Sequence, residues 1–199
     1  KNLNAEAVDY SDGEIFIKAD RTKKISFTDL LKQAGKPLIE IIKDAERLSA
    51  EARKFAMNSF SVHFVKLHVN PVTAVIQLKH IVSTADAGKI IAYNPARSQM
   101  VGGAVGGVGM ALTEETLIDP RYGRYINSNF ADYHVPVHAD IPAIDVLFAD
   151  QPDYIINPMG SKGIGEIALV GVAPAIANAV FNATGKRIRE LPITPDKLL

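Results

Sequence analysis

The strongest chemical signal in the sequence is a glycine-rich loop, Met159-Gly-Ser-Lys-Gly-Ile-Gly-Glu166. Its glycines predict positive φ angles and a backbone that a ligand can approach closely. Backbone N–H groups beside Lys162 suit an anion such as phosphate, or an oxygen-rich cofactor. Glu166 stands where the loop enters a predicted helix, and a carboxylate held there is a candidate general base. A plain glycine turn followed by a first-turn glutamate is the alternative.

A second candidate is the segment Asp86-Ala-Gly-Lys89, which lies between a predicted strand and a predicted helix. Ligands often meet backbone N–H groups at strand-to-helix junctions. Asn94-Pro95 predicts the start of that helix, with Asn94 as the N-cap and Pro95 at the first helical position. An ordinary Asp-Gly turn before a capped helix is the alternative.

The predicted helix that follows, residues 95–115, is unusually rich in glycine. Each glycine in a helix interior costs about 1 kcal/mol relative to alanine. Something must therefore require a surface without side chains, either the close approach of a flat cofactor or tight packing against another helix. The glycines are Gly102, Gly103, Gly106, Gly107 and Gly109.

Other kinds of site find less support. The absence of cysteine excludes disulfides, thiolate zinc sites, Fe–S ligation and cysteine nucleophiles from this polypeptide. His134 and His138 have the spacing of helical zinc ligands, but Pro136 between them argues against a helix there. Ser161 lacks the flanking pattern of a hydrolase nucleophile.

Composition narrows the function classes further. Lys plus Arg and Asp plus Glu both number 22, so the formal charge is zero, which argues against nucleic-acid and polybasic membrane binding. With 47% hydrophobic and 22% charged residues the chain is typical of a globular protein. The longest apolar stretch, 167–180, is interrupted by Gly171, Pro174 and Asn178 and is shorter than a membrane span. The polar start, without Met or a signal peptide, predicts a chain trimmed or cut from something longer.

Local patterns predict the elements that must position these residues. In the N-terminal part, a hairpin turns at Ser11-Asp12-Gly13, and a capping box at Ser26–Asp29 begins a short helix that Gly35 ends. Residues 36–57 are a connector of unpredicted conformation. Alternation over 59–69 and 74–82 predicts two paired strands.

The second half of the chain contains fewer regular elements. A hairpin-like turn is predicted at 118–127, an irregular segment at 130–144 and a short strand at 144–148. A second apolar helix is predicted over 167–184, kinked or restarted at Pro174 and ended by Gly185, followed by an extended tail. Strands that form hairpins more than crossovers indicate an α+β fold, a two-layer α/β sandwich with a mixed or antiparallel sheet. The predicted domains are 1–58, a hairpin-helix segment and connector, and 59–199.

Three ordered segments, residues 85–115, 119–142 and 156–199, carry a family resemblance. Together they resemble the C-terminal part of the large, molybdopterin-binding subunit of the xanthine oxidase family of molybdenum hydroxylases. The nearest likeness is to bacterial aldehyde oxidoreductase or xanthine dehydrogenase-like subunits. The resemblance covers residues 59–199 and, more loosely, 1–58. It implies that 59–199 form a molybdenum cofactor-binding lobe.

The resemblance also implies roles for individual residues. Glu166 falls on the family's catalytic glutamate. The molybdenum is held through the dithiolene of the pterin, which is expected in a dinucleotide form, so no residue here ligates the metal. The residues implied to contact this cofactor are Asp86, Ala87, Gly88, Asn94, Ser98, Gln99, Lys162, Gly163, Ile164 and Gly165.

The family resemblance further implies a reaction and partners. Aldehydes or purine-like N-heterocycles are oxidised with water as the oxygen source, and electrons leave through Fe–S clusters and FAD on other chains or domains. The expected partners are the remaining lobes of the molybdenum subunit, an Fe–S subunit, an FAD subunit, a small-molecule substrate and further copies in an oligomer, with no nucleic acid or membrane. We expect a bacterial source, a cytoplasmic rather than periplasmic location, and no activity from this chain alone. The alternative is a non-catalytic structural or assembly module, against which the intact Glu166 argues.

Overall fold

The computed structural model describes residues 4–42 and 52–199. The chain divides into two units, Lys1–Arg47 and Leu48–Leu199. Part of the predicted connector, residues 43–51, lies outside the described residues.

The first unit is a small antiparallel sheet followed by a short helix. β1 (Val8–Ser11), β2 (Glu14–Ile17) and β3 (Asp20–Ser26) pair in chain order, and α1 spans Phe27–Gln33. The predicted hairpin is confirmed, because Ser11 pairs with Glu14 across the two-residue turn. The capping box is also confirmed: the Asp29 N–H donates to Ser26 Oγ at 3.0 Å.

β3 was missed by the sequence prediction. Its residues, Asp-Arg-Thr-Lys-Lys-Ile-Ser, are mostly polar and exposed, so no alternation of apolar and polar residues marks the strand. Pairing with the edge of β2, which places Ile25 opposite Ile15, forms the strand instead. Strand formation at such a position depends on the neighbouring strand more than on intrinsic preference.

A three-stranded mixed sheet is the centre of the second unit. β4 (Phe60–Val69) pairs antiparallel with β5 (Ile76–Asp86), which pairs parallel with β8 (Ala143–Phe148). The predicted fold class and strand pair are therefore confirmed. The link from β5 to β8 is a crossover, as a parallel pair requires, although the sequence favoured hairpins over crossovers. The predicted turn at 118–127 contains a hairpin of β6 (Ile118–Asp119) and β7 (Arg124–Tyr125).

Two long helices form the second layer. α2 (Tyr93–Leu112) packs against α3 (Ile167–Thr184), and α3 packs on β4. By length and composition α3, with a mean hydropathy of 1.6, is one helix of the described chain that could cross a membrane. In this fold its buried residues instead join the core between sheet and helices: Ala168, Val172, Ala173, Ile176 and Val180.

The helix boundaries correct two expectations. α2 begins at Tyr93 with Ala92 as its N-cap, so Asn94 is not the cap and Pro95 lies within the first turn. A proline fits there because first-turn N–H groups have no helical acceptor. α3 does not restart at Pro174 and runs on to Gly185, whose φ of 72° ends it as predicted.

The C-terminal tail is only partly extended. A short 3-10 turn covers Pro195–Lys197, although the sequence predicted no regular structure there. Ile193 is 2% exposed and Leu198 is 7% exposed, so both side chains join the core. Burial of these two residues fixes the tail against the helices.

Close packing of α2 against α3 explains most of the glycines in α2. A Cβ atom added at Gly103 would lie 3.0 Å from Ala168 Cβ, and one at Gly107 would lie 2.7 Å from Val172 Cβ. A Cβ at Gly106 would lie 2.8 Å from Leu169 Cδ1. Tight helix packing, one of the two open alternatives, therefore accounts for these three glycines.

Alanine at two different glycine positions of α2 should have opposite effects on the stability of the protein. Nothing lies within 4 Å of a Cβ at Gly102, so Gly102→Ala should stabilise the protein by about 1 kcal/mol through helix propensity. Gly107→Ala should destabilise it, because overpacking of about 1–3 kcal/mol outweighs that gain. Denaturant unfolding of both variants beside the wild type measures the difference. A Gly107→Ala protein as stable as Gly102→Ala would contradict the packing argument.

Candidate functional site

The two segments singled out in the sequence lie side by side in the structure. Gly88 and Ser161 form an isolated antiparallel bridge. The Lys162 N–H donates to the Ala87 carbonyl, and the Lys89 N–H donates to the Gly160 carbonyl, both at 2.8 Å. The strand-to-helix junction after β5 and the glycine-rich loop before α3 therefore form one backbone unit.

Gly88 makes this pairing possible. Its φ is 66°, which side chains other than glycine's rarely adopt. A Cβ there would clash with the Gly160 carbonyl oxygen and lie 3.1 Å from both Lys162 N and Ser161 Cα. The chain's own glycine-rich loop makes the close approach to Gly88.

A buried ion pair joins the same two segments. Lys162 Nζ lies 2.7 Å from Asp86 Oδ2, and the side chains are 7% and 31% exposed respectively. The Gly88 N–H donates to Asp86 Oδ1 at 3.1 Å. The Lys162 hydrogen bond and this N–H together lower the pKa of Asp86 below its ordinary value of 3.8. Lys162 therefore does not present a free cation to an anion, contrary to the sequence-based expectation.

Removal of the Asp86 carboxylate should destabilise the protein in a pH-dependent way. Asp86→Asn leaves the Lys162 ammonium without its partner, which should cost about 2 kcal/mol at neutral pH. Because the folded state lowers the pKa of Asp86, this stabilisation exists above pH 3.8 and disappears as the pH falls through the lowered pKa. The gap between variant and wild type should therefore shrink in acid. Denaturant unfolding across pH measures it.

The exposed pair His80–Asp145 supplies the control for this experiment. Its side chains are 40% and 66% exposed, so Asp145→Asn should have a much smaller effect at neutral pH. Equal effects of the two substitutions would show that burial of the Asp86–Lys162 pair does not matter.

A cavity of about 290 Å³ lies where the loops meet the first turns of α2. Four residues from the predicted set line it, and Asn94 and Ser98 do not, although they are exposed on the same turns. Lys89, which was not in that set, also lines it, and within the described chain its ammonium has no recorded ion-pair partner. The predicted residues at the wall are Ala87, Gln99, Lys162 and Ile164.

Glu166 lies at the N-cap position of α3, and its side chain makes no capping hydrogen bond. Its carboxylate is exposed and free of the structural role that a capping glutamate would have. Gly163 and Gly165 are exposed with open space beside them. Within the described residues, no acceptor is recorded for the N–H groups of Gly163, Ile164 and Gly165. The positive φ predicted for the loop glycines is confirmed only at Gly160, with a φ of 71°.

Sequence analysis missed the residues that support the two loops from outside. Asp150 Oδ1 accepts the Ile90 N–H at 3.0 Å. Asn157 donates through Nδ2 to the Ser161 carbonyl at 2.7 Å. The Asn157-Pro158 pair is a turn signal that could have drawn attention to this residue. Asp150 carries no comparable local signal.

Comparison with known proteins gives the class of this fold and site. Residues 1–142 match the family model described as a molybdopterin cofactor-binding domain. The chain belongs to this family, as its resemblance to the molybdenum-binding subunits of the xanthine oxidase family implied. The match ends before the glycine-rich loop, so Glu166 lies outside it.

Individual relatives make the assignment more specific. The chain is similar to the aldehyde oxidoreductase molybdenum-binding subunit PaoC of Escherichia coli K12, with 45% identity over 148 residues, which is 74% of this chain. It is also 36% identical, over 76% of its length, to the putative xanthine dehydrogenase molybdenum-binding subunit XdhA of the same organism. The chain spans about a fifth of the length of these curated relatives, 20% in both cases.

Solved structures agree with the fold. Quinoline 2-oxidoreductase from Pseudomonas putida 86 matches 98% of this chain and 25% of its own, with a TM-score of 0.77 and 21% identity. Aldehyde oxidoreductase from Desulfovibrio gigas matches 71% of this chain and 15% of its own, with a TM-score of 0.64 and 27% identity. At 21% identity, the match to quinoline 2-oxidoreductase supports the fold alone.

Proposed function

We propose that this chain is the cofactor-binding part of a molybdenum hydroxylase that oxidises aldehydes or purine-like N-heterocycles with water as the oxygen source. The observation that carries the proposal is that two motifs far apart in the sequence meet beside one cavity, and that the same loop carries Glu166, whose side chain makes no capping hydrogen bond. The similarity to an aldehyde oxidoreductase subunit and to a putative xanthine dehydrogenase subunit supports these two substrate classes.

The donors around the loops fit an oxygen- and nitrogen-rich cofactor. The N–H groups of Gly163, Ile164 and Gly165 have no acceptor within the described chain and can donate hydrogen bonds to such a cofactor. The side-chain amide of Gln99 can both donate and accept. Lys89 supplies positive charge at the wall for a phosphate of a dinucleotide form. Asp86, Ala87, Gly88 and Lys162 contact the cofactor as part of this wall, which their ion pair and backbone hydrogen bonds hold together.

When bound at this site, a molybdenum–pterin group would supply the two-electron oxidation and the oxygen derived from water. Glu166 accepts the proton from the oxygen nucleophile as it attacks the substrate carbon. The backbone of Gly163–Gly165 positions the cofactor next to that carboxylate. The Asp86–Lys162 ion pair keeps the two loops in register.

The remaining assignments follow from the same proposal. Asn94 and Ser98, exposed on the first turns of α2, would contact the cofactor from outside the cavity wall. Residues 59–199 form the cofactor-binding lobe, and the other lobes of the subunit complete the site. Fe–S and FAD partners receive the electrons, and the assembled enzyme is a cytoplasmic oligomer.

Metal analysis of the full-length protein tests the proposal. The protein that contains this chain, purified with its partner subunits, should contain molybdenum and oxidise an aldehyde or an N-heterocycle. When the reaction runs in oxygen-18-enriched water, the oxygen atom added to the product should carry the isotope. A complete complex without molybdenum would instead indicate a structural or assembly module.

A further inference from the structure

A relay of three side chains connects the centre of the sheet to the beginning of α3. Ser83 on β5 is 0% exposed, and its Oγ lies 2.9 Å from Nδ1 of His63, its partner across the strands. Nε2 of His63 lies 3.0 Å from Ser61 Oγ. The Ser61 hydroxyl donates to the carbonyl of Ile167, the first residue of α3, at 3.1 Å.

The carbonyl at the end of the relay sets the direction of each hydrogen bond. A carbonyl oxygen only accepts, so the Ser61 hydroxyl uses its single proton on Ile167. Ser61 Oγ must then accept from His63, which places the ring proton on Nε2. Nδ1 is left to accept from Ser83. Burial lowers the pKa of His63, in keeping with this neutral ring.

A second tether lies two residues earlier along the same strand direction. The Ser59 hydroxyl donates to the Gly163 carbonyl at 2.6 Å. Ser59 and Ser61 therefore hold the carbonyls of Gly163 and Ile167. Glu166 lies between those two anchored points and has no capping hydrogen bond of its own. The position of its carboxylate depends on the backbone that the two serines hold.

Gly171 in α3 provides the space for the histidine ring. A Cβ atom at Gly171 would clash with His63 Cδ2 and lie 2.6 Å from Nε2. The ring can therefore lie against the helix backbone one turn after Ile167 and reach Ser61. A residue with a side chain at this position would push the ring away from the relay.

We propose that Ser59, Ser61 and His63 are positioning residues for Glu166, acting through the Gly163 and Ile167 carbonyls to hold the loop that carries it. This inference rests on the proposed function of Glu166 as the general base. It predicts that loss of a tether lowers turnover without changing cofactor content, because misplacement of a reacting group by about 1 Å can cost up to about 100-fold.

The test uses the molybdenum-loaded full-length enzyme. Ser61→Ala should lower kcat by about 10- to 100-fold, with KM and molybdenum content near the wild-type values. Ser61→Thr keeps a hydroxyl and should restore most of the activity. Ser128→Ala, at an exposed serine without a recorded side-chain partner in the described chain, is the matched control and should behave as wild type.

A double variant distinguishes positioning of Glu166 from a general effect on the fold. If Ser61 acts through Glu166, Ser61→Ala should have little further effect in the Glu166→Gln background. A full additional loss there, or a Ser61→Ala enzyme with wild-type kcat, would overturn the inference and leave the proposed function intact. A Glu166→Gln enzyme with wild-type kcat would overturn the general-base assignment itself. If the Ser61→Ala protein fails to accumulate, the Ser59→Ala variant, which lies nearer the surface, replaces it. The same loss of kcat and the same lack of further loss in the Glu166→Gln background are then expected.

Discussion

Turnover per bound molybdenum should fall by at least about 100-fold when Glu166 is replaced by glutamine, since general-base catalysis contributes about 10²–10⁴-fold. Glutamine keeps the size and hydrogen-bonding groups of the side chain but cannot accept the proton. Cofactor content should stay near the wild-type level, because in the proposed site the loop contacts the cofactor through backbone N–H groups rather than through this carboxylate. Steady-state kinetics with elemental analysis of the same full-length preparation measure both quantities.

An exposed glutamate elsewhere in the same unit controls for the loss of a negative charge. Glu115 is exposed and belongs to the same unit, so Glu115→Gln should leave both turnover and molybdenum content unchanged. The Glu166 side chain makes no capping hydrogen bond, so its replacement should hardly affect stability. Turnover of the Glu166→Gln enzyme within about threefold of wild type, far below the general-base range, would remove Glu166 from the mechanism.

The second large effect is expected at Gly88. Gly88→Ala should destabilise the protein by about 2–5 kcal/mol, because strain at positive φ adds to overpacking against the backbone. The clash involves the Gly160 carbonyl, the Lys162 N–H and the Ser161 Cα, none of which can turn aside as a flexible side chain can. The pairing of the two loops should open and the protein should retain less molybdenum. Thermal unfolding and metal analysis of the purified protein measure these losses.

A Gly123→Ala variant distinguishes the cost of conformational strain from the cost of the steric clash. Its φ of 62° is close to the 66° of Gly88, but nothing lies within 4 Å of a Cβ there. Gly123→Ala should therefore cost only the strain, about 1–2 kcal/mol, and leave molybdenum content unchanged. Equal losses in the two alanine variants would mean that loop pairing does not depend on the absence of a side chain at Gly88.

Local signals in the sequence predicted those elements that depend on local chemistry. The Ser26–Asp29 capping box, the Asp12-Gly13 turn and the helix stop at Gly185 are fixed by hydrogen bonds or φ angles within a few residues. The sequence did not predict β3, because its exposed, polar residues carry no local signal and form a strand only beside β2. The start of α2 was placed two residues late because the sequence does not tell which position of the first helical turn a proline occupies.

For the site, the sequence by itself determined which residue types stand at two loops and that a known family arranges them in this order. It also predicted a strand over 59–69 through the alternation of its residues. The tertiary structure decided what those residues do. Lys162 neutralises Asp86 across 76 positions of the chain, and Ser61 reaches Ile167 across 106. Contacts at such separations arise from how the sheet and helices pack, and no local preference of the chain encodes them.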